Sequence, residues 1–138
     1  MDFSAPFEAL EPGAAFTTRG RTVTAADLAG FPEIAHGPLV IGLACGLVPF
    51  DPARVSGMER VSEACFKRAV RAGDTVRVRG RIADLGSAGT DTGLVRFVWT
   101  LLNQDERTVC RAHVDVLWRR EESLPAAADE SDFVAIPL

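Results

Sequence analysis

Lysine is nearly missing from this 138-residue chain: Lys67 is the only one, and arginine carries the rest of the positive charge. No basic run exists and the net charge is −4, which argues against nucleic acid as a partner. Histidine is scarce too, with only His36 and His113. The three cysteines, Cys45, Cys65 and Cys110, are too far apart for a metal or redox motif and are expected to be buried free thiols. The start of the chain, Met1-Asp2-Phe3-Ser4, lacks the basic-then-apolar layout of a secretion signal. The longest apolar run, Pro38 to Phe50, is too short and too rich in glycine to span a bilayer. A cytoplasmic protein without membrane contact is the expectation. What is present, 47% hydrophobic and 25% charged residues, is the composition of a single globular domain able to bury a core.

Residues 1–13 are acidic and contain proline, and read as a surface leader. Ala14 to Val23 reads as a strand. Thr24-Ala25-Ala26-Asp27 has the form of a helix cap followed by a short helix, which Gly30 and Pro32 stop near Phe31. A second helix starts at Gly37-Pro38, since proline suits a first helical turn, and ends before Pro49 and Pro52. Its apolar residues run all the way round, so it is expected to be buried. Gly42 and Gly46, one turn apart, suggest a close approach to another backbone.

The second half alternates with period two. Met58–Lys67, Thr75–Ile82, Leu94–Leu102 and Val109–Arg119 are predicted strands, the last two joined by a hairpin at Asn103-Gln104-Asp105-Glu106. Trp99 and Trp118 fall on inward positions. Arg77, Arg79 and Arg81 share the outward side of their strand, a solvent face that would also suit a phosphate or an acidic carrier surface. His113 sits among outward-facing residues. Residues 121–138 are predicted to be a mobile acidic tail turning apolar at Phe133. The outcome is an α+β domain over 14–120, an antiparallel sheet wrapped around one buried central helix.

Val23-Thr24-Ala25-Ala26-Asp27-Leu28, then Ala35-His36-Gly37, then Phe66 with Val70 and Gly73-Asp74-Thr75, then Asn103-Gln104-Asp105 follow in one order. On these stretches residues 12–120 resemble the MaoC-like hotdog family of R-specific enoyl-CoA hydratases and hydroxyacyl-thioester dehydratases. The resemblance implies a single hotdog fold, pairing with a second hotdog subunit as a homodimer or heterodimer, an acyl-CoA or acyl-carrier-protein thioester as ligand, and no cofactor. It also implies a D-x-x-x-x-H catalytic segment before the central helix. Here only Pro32-Glu33-Ile34-Ala35 separates Phe31 from His36, and no aspartate lies between Asp27 and Asp51. The segment is deleted, and neither catalytic residue of the family has a counterpart.

What remains is the start of the central helix. Unpaired backbone N–H groups and the positive end of the helix dipole would polarise a thioester carbonyl at Gly37 and Pro38. The same field favours a neutral imidazole at His36, the form a general base needs. Glu33, three residues earlier, is placed to orient it, which makes Glu33–His36 a candidate replacement pair. Three functions follow: a degenerate or repurposed hydratase/dehydratase of acyl or polyketide metabolism, a non-catalytic subunit of a heteromeric hydratase, or a ligand-binding hotdog without chemistry.

Overall fold

The computed structural model describes residues 1–30, 35 and 37–122. A short 3-10 turn at Phe7–Ala9 precedes β1 (Ala15–Thr17), β2 (Arg21–Thr22), α1 (Gly37–Leu47), β3 (Val55–Phe66), β4 (Thr75–Ser87), β5 (Thr92–Leu102) and β6 (Thr108–Arg119). The sheet is antiparallel in the order β1-β4-β5-β6-β3, with β2 pairing the start of β4. Val40, Leu43, Ala44 and Leu47 of α1 meet Val78, Ile82, Val95, Phe97, Trp99, Val114, Val116 and Trp118 in one core. Both tryptophans are fully buried, as their inward positions require.

Four expectations change. The single strand Ala14–Val23 is two short ones: Thr18 still donates its N–H to Val78 O (2.8 Å), but the Val78 N–H is accepted by the Thr18 hydroxyl (2.9 Å), and the ladder resumes only at Arg21. The short helix after Thr24 is a run of turns. Asp27, Leu28 and Ala29 each donate three residues back, and Gly30 closes the run at φ +84°. Asp27 accepts the Thr24 N–H (2.8 Å) and pairs with Arg21 (2.9 Å), so it serves the local turn. The leader is not a surface appendage. Phe3 packs edge-on against Phe16 (5.2 Å between centroids) and Phe50 (6.0 Å), and Leu10 is buried.

The fourth change concerns α1. Its inner face is buried, but Pro38, Gly42 and Gly46 are exposed, and a Cβ on either glycine would meet nothing within 4 Å. Among the described residues the sheet wraps one side of the helix only, and no backbone comes within 4 Å of a Cβ placed on either glycine. The cysteines, all expected to be buried, need correcting too: only Cys110 is buried, Cys45 is half-buried, and Cys65 is exposed because it lies on edge strand β3. No helix among the described residues is long and apolar enough to cross a membrane.

On the outer face of the sheet, the Asp115 carboxylate is almost fully buried and accepts two hydrogen bonds from Arg96, at 2.8 and 3.0 Å. Those bonds hold its carboxyl below the ordinary carboxylate range. A depressed folded-state pKa means the pair stabilises the protein above the unfolded value of about 3.9, and that contribution is lost as pH falls through the folded value. Asp115→Asn is therefore expected to lower the denaturant midpoint at pH 7. It should also flatten the acid limb of the stability curve below about pH 4. Urea melts at several pH values read both effects.

Candidate functional site

At the start of α1 the helix end, a recess and basic side chains coincide. Gly37 opens the helix, Pro38 follows where no N–H is needed, and the first turn carries no acidic residue. The positive end of the dipole is thus not neutralised by the helix's own side chains. Ala35 anchors the approach by donating its N–H to Val70 O at 2.8 Å.

β3 ends beside this point. The Phe66 ring lies against Gly37 so closely that a Cβ there would fall 2.7 Å from a ring carbon. A glycine at position 37 therefore has a packing reason, which the sequence reading missed. The signal was the pairing of an aromatic strand end with a glycine helix start, visible only once the two segments are adjacent. Ala35, Gly37, Val40, Phe66, Lys67 and Arg68 enclose most of a recess of about 250 Å³. Lys67 and Arg68 are fixed by their backbone N–H groups, which donate to Val109 O at 2.7 and 3.3 Å. Arg68 also donates from Nη1 to Thr108 O at 2.8 Å. The recess thus has an apolar floor and a basic rim beside unneutralised helix N–H groups. Chemically it suits a polarised carbonyl oxygen or another anionic oxygen.

Of the residues singled out from sequence, Gly37 and Pro38 stand at the helix start, with Gly37 lining the recess and Pro38 exposed. Glu33 and His36 lie outside the described residues. His113 is not brought to the site. It alternates with Ala112 and Val114, which face the core, and so points from the opposite side of the sheet, where its Nδ1 is 3.4 Å from Glu63 Oε2. Arg77, Arg79 and Arg81 occupy that outer side too. Arg77 pairs with Glu106, and Arg79 reaches the same carboxylate at 3.6 Å. Burial pushes the Cys45 and Cys110 thiols up, so neither is a thiolate nucleophile at neutral pH. No cluster of metal-ligating side chains occurs among the described residues.

No family model matches the chain, and no curated protein sequence matches it. Solved structures do. A monoamine oxidase regulatory protein from Archaeoglobus superposes with a TM-score of 0.77 at 23% identity, covering 84% of this chain and 95% of that one. A MaoC-like dehydratase from Rhodospirillum rubrum gives 0.72 at 18% identity, covering 87% and 100%. A double-hotdog protein from Mycobacterium tuberculosis gives 0.73 at 21% identity. It covers 99% of this chain, which spans only 52% of that protein. With one helix held by a single antiparallel sheet, the chain is a single hotdog, the fold it shares with MaoC-like dehydratases.

Proposed function

We propose that this protein binds an acyl thioester, delivered as acyl-CoA or on an acyl carrier protein, with its carbonyl oxygen at the start of α1. The observation that carries the reading is the recess at Gly37, where helix N–H groups carrying no acidic counter-charge meet the basic rim of Lys67 and Arg68. A protein from Streptococcus mutans solved bound to acetyl-CoA, 21% identical with a TM-score of 0.56, supports the ligand class. In this reading Glu33–His36 replaces the absent aspartate and histidine. His36 exchanges a proton with water while Glu33 orients it, in a degenerate or repurposed hydratase/dehydratase.

The second reading is a partner subunit that shapes the acyl site while another hotdog chain supplies the catalytic pair. It is favoured by the shortness of the 32–35 segment, which leaves no room for a D-x-x-x-x-H motif. Purified protein assayed for hydration of a short enoyl-CoA, beside His36→Ala, decides between them. Turnover that falls at least about 100-fold in the variant supports a rebuilt acid–base site. Equal turnover in both proteins removes His36 from the chemistry. Folded protein that binds the thioester without turning it over supports the partner-subunit role. Folded protein that neither binds nor turns over overturns the thioester reading.

A further inference from the structure

Cations gather at the end of the sheet that holds the Gly37 recess, and the pairing of β3 with β6 brings them there. Phe66, which lines the recess, pairs with Cys110, and the next pair along is Cys65 with Arg111. On the other side of Cys110, Val109 O and Thr108 O hold Lys67 and Arg68. Thr108 follows Arg107, whose backbone N–H donates to Asn103 Oδ1 at 3.1 Å. Arg107 and Arg111 thus flank the stretch of β6 that anchors the rim of the recess. All four basic residues are exposed, and among the described residues none of them forms an ion pair. The carboxylates close by are mostly engaged. Glu106 is shared by Arg77 and Arg79, and Asp74 accepts from Gln104 Nε2 and from the Arg71 N–H. Asp105 is the remaining carboxylate of the hairpin. A chain of net charge −4 therefore turns a positive face to solvent beside its candidate site.

We propose that this face docks an acidic carrier protein, so that the thioester reaches the Gly37 recess on a phosphopantetheine arm and not as acyl-CoA. The inference rests on the thioester reading and chooses between its two forms of delivery. Two observations favour the protein. The recess, about 250 Å³, is smaller than the roughly 300–1,000 Å³ of sites that enclose a drug-sized ligand, so it takes the acyl end and leaves a nucleotide outside. The cations outside it stand on a sheet face and a hairpin, not around a cleft. Arg79, Thr100 and Arg111 lie in register across β4, β5 and β6, which sets the two arginines roughly 10 Å apart, two strand spacings. Exposed charges spread in this way complement carboxylates distributed over a protein surface, where they steer and orient a partner.

Calorimetric affinities for butyryl-CoA and for a butyryl-loaded bacterial acyl carrier protein test it. The carrier form should bind at least about tenfold tighter at about 50 mM salt and lose that advantage by about 300 mM, as exposed charges are screened. Arg107→Glu combined with Arg111→Glu should abolish the preference and leave the butyryl-CoA affinity unchanged, since neither arginine lines the recess. Butyryl-CoA bound as tightly as the carrier form overturns the docking and leaves the thioester reading standing. A preference that survives in the double variant, or at high salt, also overturns the docking. Where the double variant fails to fold, the salt dependence decides. Binding of neither form overturns the thioester reading and the docking with it.

Discussion

Replacing Trp118 by alanine is expected to remove about 3–5 kcal/mol of folding stability, the cost of emptying a fully buried indole site. Trp118 sits where three parts of the chain converge. Its ring centroid lies 6.3 Å from Phe3, 6.5 Å from Phe50 and 6.4 Å from Phe97, and its Nε1 donates to Ala5 O at 2.8 Å. The substitution thus opens a cavity, breaks the aromatic cluster under the helix exit and unpins the first ten residues from the sheet. Trp118→Phe keeps most of the volume and loses the hydrogen bond, so about 1–2 kcal/mol is expected there. Trp99 remains as the reporter for denaturant unfolding. If Trp118→Ala and Trp118→Phe have equal midpoints, the cavity account is wrong.

That cluster also shows where the sequence could and could not be read. Period-two alternation placed β5 and β6 almost to their ends and the start of β4, because these strands bury one face on the helix and the pattern records it. β4 runs on to Ser87 past the expected Ile82, carried by pairing with β5 as far as Ser87 and Gly93. The leader was misread because Phe3 and Phe7 are spaced among polar residues with no period. Phe3 is packed by Trp118 and Phe50, and Phe7 lies against Gly93 and Arg120, all distant in sequence. The turns after Thr24 have a helical cap signature, but Gly30 in the left-handed region ends them before a full helix can form. Gly42 and Gly46 were legible as a small-residue face and not as an open one. Composition reports that a surface is small, and only packing reports what covers it. At the candidate site, Gly37 and Pro38 were legible from helix-start chemistry, whereas Phe66, Lys67 and Arg68 were not. They reach the helix only through the pairing of β3 with β6.

That strand leads to the second large effect: Val61→Arg is expected to weaken self-association at least about 100-fold, converting a dimer to a monomer in sedimentation at micromolar concentration. Among the described residues β3 pairs only with β6, so its other edge presents backbone groups without a strand partner there. Met58, Val61 and Phe66 pair with Val116, Val114 and Cys110, all core-facing, yet they are 40%, 37% and 49% exposed. They continue the inner face of the sheet; Phe66 still touches the start of α1 at Gly37, and all three stay partly open to solvent. Natural edges are usually blunted by charge or proline; this one keeps three large apolar side chains uncovered. A second copy added edge to edge would satisfy the backbone groups and bury those side chains together, as a two-fold contact uses the same patch twice. An arginine at position 61 would appear on both sides of such a contact, placing two like charges in an apolar seam. Phe66 also lines the Gly37 recess, so if the proposed thioester binds there, separating two such copies should loosen its binding at the same time. A Val61→Arg protein that remains dimeric would move the contact away from β3. One that becomes monomeric while binding the thioester unchanged would show that each recess is complete within one chain.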